Sequence, residues 1–456
     1  MSSASVSAPD SGATTAAFGA IPFAEMASAC PSTSVDAAHR LDPYWFGLWT
    51  GGSQVSWTSR ALLARLTDAG VGQPRRPDAR VSPEQAMEAM CVPKLRPRRC
   101  AVLAAIGLWR TLTAEQIAAI VGAPALAKSA ADLRTAWSAG LVEEGRFALA
   151  MGDGRHRKGR STVYRPVDSP AFTRFADALP YNEWLSVTAG RLWKSGSHHD
   201  RHNLLAAELG LRVAEFAEVG TVFGETLSGF DLLSAHSGAP GGVVGTGRHA
   251  DADLTCIRTD GMRIAVELTA STGPDFTRKV QRWAQLLMDT DPDDNGLTVV
   301  FVEAANPDRI SHVDEWNMMR TTVASAAYSI PRSMSRRVPE RMAVARWRDW
   351  FPAPLAASRG FRVLAAEVPS GPYGARWNPV SLLDPIEHTF DPRDPDASTA
   401  VLRHTPNLLG AAALAAHRSR CRCGRRTARA GRLRHPTLAR PGAVARLFGA
   451  TNPRRG

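Results

Sequence analysis

Two short alternating runs flank an Asp-Gly turn in RHADADLTCIRTDGMRIAVELTAST, Arg248 to Thr272, and each run carries a carboxylate. Carboxylates brought together on adjacent strands can hold a divalent cation, and a cation against a phosphodiester can polarise it and activate a water. Register decides whether the acids meet. A three-residue loop, Thr259-Asp260-Gly261, puts Gly where a left-handed backbone is needed. Arg258 then pairs with Met262, Cys256 with Ile264, Leu254 with Val266 and Ala252 with Leu268. One side becomes wholly apolar, while on the other Asp253 faces Glu267 and Asp251 faces Thr269. A two-residue loop would set Leu254 against Glu267 and spoil both faces. Two acids directly opposite on a sheet repel each other, so water, a proton or a cation must separate them. Mg²⁺ or Mn²⁺ held by Asp253 and Glu267 is one solution. Two solvated acids, paired with Arg263 or Arg248, are the other.

The elements around this hairpin read as an α/β order. NLLAAELGLRVAEF is a helix with Leu204, Leu205, Leu209, Val213 and Phe216 on one face. GPDFTRKVQRWAQLLMD is amphipathic, with Phe276, Val280, Trp283 and Leu287 inward. GLTVVFVEA is a continuous apolar run, as a strand covered on both faces should be. RMAVARWRDWF and FRVLAAEV read as further strands.

Upstream, Arg98 to Arg165 has the rhythm of three helices and a basic hairpin, the pattern of a winged helix-turn-helix. Thr113 and Gln116 have capping-box spacing. Ser129 is placed to cap the third helix, and Gly140 to end it. That third helix fits a major groove, with Lys128, Arg134 and Thr135 facing it. Arg155, Arg157, Lys158 and Arg160, in GDGRHRKGRSTVYR, would form a cationic wing for phosphates. A winged helix used for protein contacts, or a helical subdomain with a solvated loop, fits the same pattern.

Charge supports a polyanion partner. Lys94 to Arg165 holds 13 basic against 5 acidic residues, and His417 to Gly456 holds 12 Arg and no acid, in a chain of net charge +12. No run approaches a membrane span, and Arg40 is the first basic residue, so no charged secretory start is seen. A cytoplasmic protein without a membrane partner is expected. The six Cys show no zinc spacing. The expected class is mixed α/β (α+β). The expected divisions are an N-terminal extension over 1–93 with a disordered start to residue 40, a winged helix over 94–168, a linker over 169–200, an α/β domain over 201–370, an extension over 371–416, and an Arg-rich disordered tail over 417–456. The aromatic stretch LDPYWFGLWTGGSQVSW, Leu41 to Trp57, suits packing onto a later domain or a partner.

An Asp at the end of one strand and a Glu on the next resemble the core of the PD-(D/E)xK nuclease superfamily. The resemblance implies a preceding helix with an acid, for which Glu208 is placed, and a following helix. The Lys expected two residues after the Glu is Thr269 here. Lys279, on the next helix, is placed to supply the ammonium instead, as in some branches of that superfamily, so the domain is expected to be an active or a degenerate nuclease. Arg98 to Val368 also resembles the replication-relaxation family of actinobacterial plasmids and mobile elements. The features that carry it are the winged helix, His202 before NLLAAELG, Asp253, Glu267 and the Arg309 region of VVFVEAANPDR. This implies a DNA-binding protein for replication and DNA relaxation of a plasmid or mobile element. Its partners would be double-stranded DNA and replication or mobile-element proteins, its cofactor Mg²⁺ or Mn²⁺, and its location the nucleoid or plasmid. Without the resemblance, a non-enzymatic winged-helix regulator or an interaction adaptor fits the residues. SHHDRHN lacks the His order of relaxases that use a Tyr nucleophile, with His198 and His199 read as loop residues, and no phosphate-binding Gly-Lys loop marks an ATP motor.

Overall fold

The capping box at Thr113 forms as its spacing predicts: the Thr113 side chain accepts from the Gln116 backbone, and the Gln116 side chain accepts from Thr113 N. The structure is a computed structural model that describes residues 19–26, 36–46, 54–71, 80–123, 130–150, 156–188, 200–229, 233, 252–305, 314–330 and 333–404. Helices α1 (Arg60–Asp68) and α2 (Pro83–Met90) precede α3 (Arg96–Trp109), α4 (Ala114–Val121) and α5 (Ala131–Ser138). Gly140, at φ +72°, lies just beyond the end of α5. Ser129 lies outside the described residues. The residue preceding α5 is Ala130, in a left-handed conformation and without a side-chain cap.

A four-stranded sheet follows the order β2-β4-β5-β3, with β2 at Gln54–Thr58, β3 at Leu112–Thr113, β4 at Val142–Ala150 and β5 at His156–Pro166. The chain order is thus helix, short strand, two helices and a long ribbon, with the short strand paired to the last one. Arg157, Lys158 and Arg160 lie on β5 itself, where Lys158 pairs with Ala148 and Arg157 with Leu149. The basic run is thus strand from His156 onward and not a loop. The register with β4 shifts between Arg146 and Ala148, so Gly159 and Ser161 fall at an irregularity within the ribbon and not at its turn. Arg155 and Lys128 lie outside the described residues.

The second sheet has seven strands in the order β13-β12-β10-β9-β8-β7-β6. These are β6 (Thr221–Gly224), β7 (Leu254–Ile257), β8 (Arg263–Thr269), β9 (Thr298–Glu303), β10 (Met342–Arg346), β12 (Ala365–Ser370) and β13 (Arg376–Ser381). Strands β8, β9 and β10 run parallel, and the outer pairings are antiparallel. Parallel neighbours need crossovers. Reading on from α5, the described helices are α6 (Pro170–Asp177), α7 (Tyr181–Thr188), α8 (Asp200–Phe216), α9 (Pro274–Asp289), α10 (Pro292–Asn295) and α11 (Glu315–Ser329), and α9 and α11 lie within the two crossovers. RMAVARWRDWF is strand only to Arg346, and Trp347–Trp350 then forms the short helix α12.

Strands β6 to β10 of this sheet are buried on both faces. Ala265, Val299, Phe301 and Val344 pack under Phe276, Val280 and Trp283 of α9 and Met319 and Val323 of α11. On the other face Leu254, Ile264, Val266, Val300 and Val302 belong to one core with Leu205, Leu209 and Val213 of α8 and with Ile106, Trp109 and Ile117 of the first module. That continuity redraws the expected divisions. The stretch 169–200, expected as a linker, contains α6 and α7, and Ser169 caps α6. Residues 371–416, expected as an extension, contribute β13 to the sheet and α13 at Pro395–His404. Parts of 1–40, expected to be disordered, are placed: β1 (Ile21–Pro22) pairs with β11 (Ala356–Ala357), and the Arg40 guanidinium is fully buried against Glu208 and Glu215. From the aromatic stretch, Tyr44 stacks on Trp347 and donates to the Ala305 carbonyl. None of the described helices is long and apolar enough to cross a membrane.

Candidate active site

The hairpin adopts the register that its apolar pattern selects. Arg258 N donates to Met262 O and Gly261 N to Arg258 O, each at 2.9 Å, with Gly261 at φ +93°. Leu254 pairs with Val266 and Cys256 with Ile264. The regular strand begins at Leu254, so Asp253 stands at its mouth. There Asp253 N donates to Val266 O at 3.1 Å, and Leu268 N donates to Asp253 Oδ2 at 2.6 Å. A carboxylate that captures a backbone donor competes with the regular ladder. This explains why Ala252, expected on the apolar face opposite Leu268, packs instead with Leu233 in the core beneath α9. Asp251 and Arg248 lie outside the described residues.

Glu267 is not solvated; only 1% of it is exposed. Helix α9 covers it with two side chains one helical turn apart, the spacing that puts both on one face. Lys279 Nζ lies 2.7 Å from Glu267 Oε2, and Trp283 Nε1 donates to Oε1 at 2.6 Å. Thr269 occupies the position where the superfamily pattern has Lys, and it is buried. Lys279 reaches the acid from the helix, as the sequence suggested. Asp253 Oδ1 meets Nε2 of the half-buried His202, at 2.7 Å.

The two acids differ electrostatically. Burial pushes the Glu267 carboxyl above the usual carboxylate range, and Lys279 opposes this only in part. Burial acts the same way on Asp253, but His202 and Lys279 outweigh it and hold that carboxyl below its usual value. Glu267 is the main cause that raises Lys279, keeping it an ammonium. Burial lowers His202, yet Asp253 more than compensates and the imidazole ends above its ordinary value. The repulsion inferred from the register is therefore relieved by an ammonium and an imidazole.

Glu208 does not join this group. Its Oε1 accepts from Arg212 Nε at 3.1 Å and from Arg40 Nη2 at 3.1 Å, and its Oε2 accepts from Gln116 Nε2 at 3.1 Å. Six residues separate it from His202, which is roughly 120° around a helix, so the two address different neighbours. The expectation of Glu208 as the helical acid is corrected: it neutralises a buried guanidinium pair.

The site lies at the carboxyl end of β8, beside the ends of β9 and β10, where open α/β sheets bind ligands. Among the proposed DNA contacts, Arg134 is exposed on α5, and Thr135 spends its hydroxyl on Ala131 O at 3.0 Å. His198 and His199 lie outside the described residues. Trp283 reads from the sequence only as core, because Trp on an apolar stripe usually is. Asp200 escapes sequence reasoning altogether. An acid opening a helix is its only signal.

Among the described residues no three His, Cys, Asp or Glu side chains gather around one point. Mg²⁺ does not require that: it uses one or two carboxylates, waters and substrate phosphate oxygens. Each carboxylate oxygen of Asp253 and Glu267 accepts one protein donor and keeps a further lone pair. The Lys279 side chain is 37% exposed, so its ammonium can swing aside. The donor set fits such a cation. No protein-family model matches the chain, and no curated protein or solved structure shows significant similarity to it.

Proposed function

We propose that the chain binds duplex DNA through the α3–α5 helices and the β4–β5 ribbon, acting as a winged helix-turn-helix, and nicks a DNA strand at Asp253, Glu267 and Lys279. In keeping with the replication-relaxation resemblance, the setting is replication and relaxation of a plasmid or mobile element, with the protein at the nucleoid or plasmid. The observation that carries this reading is the convergence of Lys279 on Glu267 at 2.7 Å, beside Asp253, from a helix rather than from the strand. Two strand acids with one ammonium match phosphodiester chemistry in charge. Asp253 and Glu267 would hold Mg²⁺ or Mn²⁺. Such a cation, when bound, supplies a Lewis acid for the phosphoryl oxygen and a water of lowered pKa. The Lys279 ammonium then faces the charge that builds on the phosphoryl group. His202 and the Leu268 amide keep the Asp253 carboxylate in one orientation.

A second reading, a non-enzymatic winged-helix regulator with a degenerate site, draws on one observation: all four carboxylate oxygens already have protein donors. Cation binding tests the site that the first reading requires, and a cation that stabilises without nicking would mark a degenerate site. A ligand that binds only the folded state stabilises it by RT ln(1 + [L]/Kd). The thermal midpoint should therefore rise with Mn²⁺ or Mg²⁺ in the wild type and not in Asp253→Asn. A midpoint indifferent to either cation in the wild type would favour the regulator.

A further inference from the structure

Asp200 opens α8, and its side chain is 14% exposed. Three donors from the four-stranded-sheet module converge on its carboxylate. Trp57 Nε1 of β2 lies 2.9 Å from Oδ2, the hydroxyl of Thr111 beside β3 lies 2.8 Å from Oδ1, and Arg165 Nη1 of β5 lies 3.2 Å from Oδ2. Arg165 is itself held: its Nε donates to Glu143 Oε2 at 2.6 Å, and its guanidinium lies 4.1 Å from the centroid of the Trp57 ring. Two residues after Asp200, His202 meets Asp253. Two residues are roughly 200° around a helix, so Asp200 faces the ribbon module while His202 faces the hairpin. A charged carboxylate at a helix N-terminus also suits the helix dipole.

We infer that Asp200 is a positioning residue that couples the base of the basic ribbon to the hairpin acids, by fixing the first turn of α8 so that His202 holds Asp253. The contacts run from Trp57, Thr111 and Arg165 to Asp200, then through one helical turn to His202, Asp253 and the Leu268 N–H. Binding of DNA by the ribbon thereby tightens the orientation of Asp253. This last consequence rests on the DNA-binding reading above, whereas the positioning role of Asp200 does not.

Backbone amide exchange in the full-length protein tests the inference, because Leu268 N–H reports the Asp253 carboxylate from an element distant in sequence. In Asp200→Asn, exchange at Leu268 should rise by about tenfold, the effect of weakening one charge-assisted hydrogen bond. The amides of the β8–β9 ladder should stay unchanged. Thr111→Val and Trp57→Phe, which each delete one donor, should give smaller rises at the same amide and serve if Asp200→Asn does not fold. Added duplex DNA should slow Leu268 exchange in the wild type and leave it unaltered in Asp200→Asn. Equal acceleration across the whole ladder would make Asp200 a plain stabilising residue and overturn the inference, as would an unaltered Leu268 in all three variants. A wild type that binds no duplex would defeat the DNA reading alone, since the three variants still decide the role of Asp200.

Discussion

Lys279 follows Lys194 as the next and last Lys of the chain, and it reaches one buried acid. Removing one partner of a buried ion pair strands the other; where both are fully buried, the cost is about 3–5 kcal/mol. Lys279 is 37% exposed, so water screens part of that cost. Lys279→Met should destabilise the fold by about 1–2 kcal/mol on this basis, measured by urea unfolding. Adding Glu267→Gln should restore part of the loss, because the stranded charge is gone and contacting residues are not additive. Full additivity of the two changes would show that they do not act as a pair. The acids and the ammonium were legible in the sequence because alternation, a Gly turn and the one Lys beyond Lys194 leave few arrangements. The role of Trp283 was not, since a Trp on an apolar stripe packs in the core whether or not its N–H holds a carboxylate. Glu208 was misleading for a related reason: its partner Arg40 lies 168 residues away, and no local spacing announces it.

At the scale of elements, the hairpin register was legible down to Leu254, and the departure at Asp253 was not. The pattern of side chains specifies a ladder, but a carboxylate that bonds a backbone N–H is a competing local solution that periodicity does not record. The ribbon shows the reverse case. Its Gly and Ser residues look like a turn, yet pairing with β4 carries strand from His156 onward. Strand placement puts Arg157, Lys158 and Arg160 on extended backbone. Phosphate contacts steepen the log-log salt dependence of DNA affinity by about 0.9 each. Changing Arg155, Arg157, Lys158 and Arg160 to Ala in the full chain should flatten the slope by about that amount for each phosphate no longer neutralised. An unchanged slope would show that the ribbon does not touch phosphate. The full chain is required because α3 and α4 share a core with α8.

The whole molecule is less divisible than its sequence suggests. Pro, Gly and charge shifts mark domain ends only where the flanking chain is free of the core. Here Arg40, Asp42 and Tyr44 seal α8 and α12 from before the first module, and β13 closes the sheet from beyond the last apolar strand. Buried polar groups in these closing segments make stability sensitive to pH. His388 Nε2 sits 3.1 Å from Thr298 Oγ1, and burial, aided by Arg258, Arg337 and Arg341, pushes the imidazole down to about 4. Its folded-state value is depressed, so the unfolded chain takes up the proton first as pH falls. Stability should therefore be lost between pH 6.5 and about 4, by an amount on the order of 3 kcal/mol. Unfolding free energies measured across that range should fall more steeply in the wild type than in His388→Gln, and parallel curves would show that His388 does not titrate in this way. The proposed nicking would draw on both modules at once, and its assay is the most direct measurement of the proposed function. Supercoiled plasmid incubated with the full-length protein and Mg²⁺ or Mn²⁺ should convert to open circles. The conversion should stop in Glu267→Gln and slow by about a hundredfold in Lys279→Met. Plasmid that stays supercoiled with folded wild-type protein and cation, or nicking that persists undiminished in Glu267→Gln, would contradict a nuclease site at Asp253, Glu267 and Lys279.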